Sequence, residues 1–246
     1  MSDGQRTEPA KLAAGIRAGN PEAFEHLYRQ TVRLIYFHAR SLSENDEAAW
    51  DLVQDTYTAA WKNIGQLRED GRVVSWLTAI ALNLGHKRMA RRREYLLDEG
   101  EEDRLETLPE EDESRLPEAA ADRKETISLV REEIQKLPSL QKAAVIAYYV
   151  DQMAVGQIAR AAGCSEGTIK SRLNYARRSI QAGILKKERE MGVTLHSLTA
   201  PLLVLALRGA FAELRVTPAQ TALAWSGVAA GTGIAAGEGG VSAGTG

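Results

Sequence analysis

Residues 163–180 read GCSEGTIKSRLNYARRSI, and the periodicity of this stretch sets the fold class. Ile169, Leu173, Ala176 and Ile180 recur at i, i+4, i+7 and i+11, which puts them on one face of an α-helix. Lys170, Ser171, Arg172, Tyr175 and Arg178 fall on the opposite face. Gly163 permits a sharp turn, and Ser165 is placed to cap the helix ahead of Thr168. Just upstream, AVGQIARAAG (154–163) is a short helical pattern whose small residues allow close packing. A small-residue helix, a glycine turn and a second helix with a basic face is the layout of a helix-turn-helix. In that motif the second helix enters the major groove and its N-terminal residues reach base edges. A capped, solvated helix in an ordinary bundle shares the pattern, so the stretch alone leaves both readings open.

Helical spacing extends in both directions from this stretch. Asn20-Pro21-Glu22 is a helix start, with an N-cap, Pro at the first position and an acid in the first turn. Phe24, Leu27, Tyr28, Thr31 and Ile35 follow as its apolar stripe. A second helix opens near Glu44-Asn45-Asp46 and runs to about Ile64. Leu52, Val53, Tyr57 and Trp61 lie on its inner face, and Asp51, Gln54, Asp55, Thr58 and Lys62 on its outer face. A third starts at Ser75 with Leu77, Ile80, Ala81 and Leu84 as its core stripe, then turns basic. Periodicity resumes near Thr126, pauses at Leu137-Pro138, and restarts with Ser139 as the expected N-cap of LQKAAVIAYYV (140–150).

The net charge of −2 conceals a block arrangement. KRMARRR (87–93) carries five basic groups and no acid, whereas residues 98–118 carry eleven acids against two arginines. The balance turns basic again from Lys170 to Arg189. Fields act within a Debye length of roughly 8–10 Å, so the blocks outweigh the sum. The acidic segment has too few apolar residues to offset its ordering entropy and reads as a flexible linker. Its acids are also placed to screen the basic surfaces at 87–93 and 170–189 when the protein is free.

After Gly192 the chain becomes Ala-, Gly- and Leu-rich. Leu207, Ala210, Phe211 and Leu214 form an apolar stripe able to dock on the preceding domains, on a regulator or on a membrane surface. Arg208 interrupts a run too short for a bilayer span of about 20 residues. AGTGIAAGEGGVSAGTG (230–246) reads as disordered or loosely ordered. Cys164 is the single cysteine, so no disulfide framework exists, and the turn position suits a small packing residue. No secretory signal precedes the first helix, and a cytoplasmic location is expected.

The longer segment LPSLQKAAVIAYYVDQMAVGQIARAAGCSEGTIKSRLNYAR (137–177) resembles region 4 of bacterial RNA polymerase sigma factors of the extracytoplasmic-function (ECF) group, within the sigma-70 family. The first half independently resembles region 2: AFEHLYRQTVRLIYFHAR (23–40), DLVQDTYTAAWKNI (51–64) and SWLTAIALNL (75–84), followed by basic residues. Two motif sets in family order, over roughly residues 20–182, are more specific than either alone. The implied fold is all-α, with two small helical domains joined by the acidic linker. The expected division is region 2 over 10–96, linker over 97–125, region 4 over 126–187, and a partly disordered extension over 188–246.

The resemblance implies an alternative sigma factor that binds core RNA polymerase, recognises −10 and −35 promoter elements, melts DNA and initiates transcription. The DLVQD helix would bind the clamp helices of the largest polymerase subunit through Asp51, Gln54 and Asp55, with the flap as a further polymerase contact. Asn83, His86, Lys87, Arg88, Arg91 and Arg92 would serve the −10 element, where melting requires a basic surface and a pocket for an extruded base. Thr168, Lys170, Ser171, Arg172, Asn174, Tyr175 and Arg177 would serve the −35 element. Lys87 stands where the family often has an acid, Leu82 where it often has arginine, and Tyr175 where arginine is common. These departures leave the promoter preference open. An anti-sigma factor is a further implied partner.

No glycine-rich phosphate loop, zinc spacing or nucleophile–base pair stands in the chain. An enzyme, a small-molecule substrate, a bound metal and any other cofactor are therefore not expected. The competing class is a helix-turn-helix regulator that acts without sigma activity and makes no use of the DLVQD strip.

Overall fold

In a computed structural model of the chain, residues 4–96, 123–192 and 199–234 are described. They form ten α-helices and no strand. The acidic segment 98–121, and with it the screening role of its acids, lies outside the described residues, as does the tail from 235.

Helices α1 (Gly4–Arg17), α2 (Pro21–Leu42), α3 (Asp46–Asn63) and α4 (Val73–Leu96) pack around one core. Asn20 Oδ1 accepts hydrogen bonds from the amides of Glu22 (2.8 Å) and Ala23 (3.2 Å), satisfying two donors that the start of α2 leaves open. Asn45 does the same for α3 through Ala48 N at 2.8 Å. Phe24, Leu27, Tyr28 and Ile35 are buried against Leu52, Val53 and Tyr57. The Tyr57 hydroxyl is deep in this core and meets Thr31 Oγ1 at 2.7 Å; burial pushes its pKa well above the usual tyrosine value. Trp50 stacks on Tyr36 with ring centroids 4.4 Å apart and is only half-buried.

Helices α5 (Arg123–Lys136), α6 (Ser139–Tyr149), α7 (Val155–Ala162) and α8 (Glu166–Met191) build the second core. Ile158, Ile169, Leu173, Ala176 and Ile180 are buried at its centre, as the spacing in 163–180 requires. Gly163 ends α7 at φ 66°, a left-handed conformation that glycine adopts without a Cβ penalty. Ser165 Oγ then accepts from Thr168 N at 3.0 Å to cap α8. One expectation fails: Ser139 is the first residue of α6 and not its cap. Pro138, in extended conformation, occupies the cap position and offers no side-chain acceptor.

The two cores touch. Helix α2 packs on α6, and α4 packs on α7. The extension then returns across both as α9 (Ala200–Glu213) and α10 (Pro218–Thr232). Helix α9 lies on α5, with Leu203, Ala206 and Leu207 buried. The Arg33 guanidinium of α2 donates to the carbonyls of Phe211 (2.8 Å), Ala212 (2.8 Å) and Leu214 (3.1 Å), and sits 4.9 Å above the Phe211 ring centroid. Arg131 of α5 pairs with Glu213, so the end of α9 is held from both domains. Helix α10 continues through Thr232, three residues into the segment that composition alone marks as loosely ordered. A reciprocal cap starts it: Gln220 N donates to Thr217 Oγ1 (3.2 Å) and Thr217 N to Gln220 Oε1 (2.9 Å).

Candidate nucleic-acid interface

Helix α8 presents its first turns outward because its opposite side is the core stripe. Lys170 is exposed, and Thr168, Ser171, Asn174 and Tyr175 are half-buried. Thr168 Oγ1 lies 2.9 Å from Ser165 Oγ, so this hydroxyl belongs partly to the cap. Arg177 donates from Nε to the Tyr149 hydroxyl at 2.7 Å, with its guanidinium 5.7 Å from that ring centroid. It is tied to α6. Arg172 leans back across the turn, with Nη1 3.9 Å from Cys164 Sγ.

Helix α4 divides its candidate residues between two environments. Lys87, Arg91 and Arg92 are exposed, with Arg92 facing Glu44. Arg88 is committed to α3: Nη2 lies 2.6 Å from Asp55 Oδ2, and Nη1 donates to Ala48 O at 3.2 Å. Asn83 Nδ2 donates to Ala161 O of α7 at 3.2 Å. Burial, with a smaller contribution from the positive charge of Arg172, lowers the His86 pKa to about 4. Asn83 and His86 thus face the second domain.

Beside this contact runs a groove lined by Arg68, Arg72, Trp76, Asn83, Lys87 and Arg160, among others. Glu69 also lines it and pairs with Arg72 at 2.6 Å, which leaves Arg68, Lys87 and Arg160 in excess around an indole, a setting that suits a phosphate-bearing strand with stacked bases. Arg68, Arg72 and Arg160 were not singled out in the sequence because each is isolated; only the turn after α3 and the docking of α7 bring them together. Trp76 is half-buried and lines this groove.

On α3, Asp51 and Asp55 are exposed, whereas Gln54 is half-buried beneath α10. An acidic edge with an amide beside it suits a basic protein surface. Among the described residues, no cluster of three metal-ligating side chains occurs, and no helix is long and apolar enough to cross a membrane.

Residues 27–95 match the sigma-70 region 2 family, and residues 127–180 match sigma-70, region 4. The chain is 33% identical over 173 residues to the ECF RNA polymerase sigma factor SigM of Mycobacterium tuberculosis, covering 70% of this chain and 82% of that protein. It is 30% identical over 186 residues to the ECF RNA polymerase sigma factor SigL of the same organism, covering 74% of this chain and 97% of that protein. Among solved structures, the sigma factor RpoE in complex with the anti-sigma factor NepR from Bartonella quintana is similar, at 26% identity and a TM-score of 0.44. That match covers 66% of this chain and 96% of the RpoE chain.

Proposed function

The chain belongs to the ECF RNA polymerase sigma factors, and from that membership we propose a role for each surface described above. The exposed acids of α3, Asp51 and Asp55, together with Gln54, engage the clamp helices of core polymerase. The basic end of α4, with the Arg68, Arg72 and Trp76 side of the groove that the first domain supplies alone, takes the −10 element and its melted strand. The first turns of α8, led by Lys170, Ser171 and Arg172, take the −35 element.

The observation that carries this reading is the combination of a capped basic helix-turn-helix with an acidic α3 edge in one chain. Either alone fits other roles; together they fit a protein that holds polymerase with one domain and DNA with both. Asn83 and His86 lie against α7 and Arg172. Atoms buried there are unavailable to DNA, so promoter binding requires the two domains to part. An anti-sigma partner, in this reading, acts by keeping these surfaces from polymerase and DNA.

The test is reconstitution. Purified protein with core polymerase initiates at a cognate promoter, and replacing Asp51 and Asp55 together by Ala weakens core binding about tenfold or more, as expected for charges at an interface. Failure to associate with core even at low salt overturns the proposal.

A further inference from the structure

Gln54 stands in the middle of the expected polymerase face, and it is already covered. A Cβ placed on Gly227 of α10 would stand 2.2 Å from Gln54 Oε1, so the glycine leaves the space in which the Gln54 carboxamide lies against α10. One turn on, a Cβ at Gly231 would meet Thr58 Oγ1 at 3.1 Å. The rest of α10 is fastened along the same side of the first domain. Trp225 packs between Tyr28 and Phe24, at centroid distances of 5.0 and 5.8 Å. The Tyr28 hydroxyl, kept protonated by burial, donates to Thr221 O at 2.8 Å. Gln220 Nε2 donates to Asp46 Oδ2 at 3.3 Å.

Asp51 and Asp55 remain exposed because they lie to one side of Gln54, roughly 60–100° round the helix at about 100° per residue. A helix with its side chains is about 10 Å wide, so a partner that spans all three residues overlaps the space α10 fills. The contact is also built to be reversible. No residue of α10 is charged, and its buried positions are the small side chains Ala224, Val228 and Ala229, with Trp225 the single large anchor. Helix α9, clamped by Arg33 and Arg131, keeps α10 tethered beside α3 after release.

We infer that α10 and core polymerase compete for one face of α3, so that the chain's own C-terminal helix restrains the free protein and must be displaced for polymerase to bind. This rests on the reading of α3 as the polymerase face. A protein that is competent only in its displaced fraction binds more weakly by that fraction.

Two full-length variants test it. In a Cys164→Ser background, Thr58→Cys with Gly231→Cys places one thiol on each helix. The Gly231 Cβ would stand 3.9 Å from Thr58 Cβ, within the roughly 3.5–4.5 Å span of a disulfide. The oxidised protein is expected to bind core polymerase at least about tenfold more weakly than the same protein after reduction. Gly227→Leu, which forces α10 off Gln54, is expected to bind more tightly than the unaltered chain. Equal binding by the oxidised and reduced forms overturns the competition while leaving the sigma reading intact. If the unaltered chain and both variants all fail to bind core, both proposals fall.

Discussion

The His38 imidazole of α2 and the Asp151 carboxylate, in the turn between α6 and α7, meet across the two domains with Nε2 2.6 Å from Oδ2. Their side chains are 0% and 7% exposed. The two atoms are in close contact and buried, without the alignment of a hydrogen bond. Asp151→Ala leaves a buried imidazole without this partner and is expected to lower stability by about 1–3 kcal/mol. His38→Leu combined with Asp151→Ala removes both polar groups and is expected to cost less than Asp151→Ala alone. Urea midpoints of the four proteins in this cycle give the coupling directly.

His86 makes the domain contact sensitive to pH. Burial lowers its pKa to about 4, against the ordinary histidine value of 6.5. A depressed histidine pKa contributes nothing unfavourable above about pH 6.5, where the ring is neutral in both states. Stability is lost as pH falls from about 6.5 towards 4, because the unfolded or parted state takes up the proton first. The loss is at most about 3 kcal/mol, at 1.36 kcal/mol per unit, and smaller with partial solvent screening. Thermal melts between pH 7.5 and 4.5 are expected to show a steeper acid decline for the unaltered protein than for His86→Gln.

Legibility in the sequence followed how local the deciding physics was. Helices α2, α3 and α8 were plain because Asn20, Asn45 and Ser165 are side-chain caps beside stripes of large apolar residues. Helix α1 was missed because Ala13 and Ile16, its buried residues, gain meaning only when α2 is there to cover them. Helix α10 was missed because glycine, alanine and the absence of charge mimic a disordered tail. Its signal was the Thr217–Gln220 cap and the lone Trp225. The roles of Asp51, Gln54 and Asp55 came from resemblance, and no pattern in the chain foretold that α10 would sit on one of the three. The same holds for Asn83 and His86, whose neighbours Ala161 and Arg172 are more than seventy positions away in the sequence.

Ser165 offers a test of whether the recognition helix depends on its cap. Ser165→Ala removes the acceptor for Thr168 N and frees the Thr168 hydroxyl from its 2.9 Å contact. The expected cost is about 1 kcal/mol in stability. Fraying of the first turn also misplaces Thr168 and Lys170, so −35 DNA affinity in the polymerase complex is expected to drop. Ser165→Asp, which keeps an acceptor at the cap, restores stability while its added charge still weakens DNA binding. Separate readings of melting and of DNA affinity distinguish the two effects.

Parting the domains is expected to raise DNA affinity in the absence of polymerase. In the described arrangement Asn83 donates to Ala161 of α7, and His86 is buried close to Arg172 of α8. Each 1.4 kcal/mol by which the closed arrangement is weakened raises the open fraction about tenfold while the closed form still dominates. Asp151→Ala, which touches no DNA-facing residue, is therefore expected to bind promoter DNA more tightly than the unaltered chain. Lys170→Ala added to it is expected to lower the slope of log affinity against log salt by about one, if this exposed lysine on the first turns of α8 is the phosphate contact proposed above. Fluorescence anisotropy across a salt series measures both. Unchanged affinity for Asp151→Ala, in a protein whose urea midpoint has fallen, means that the domain contact steadies the fold without limiting access to DNA.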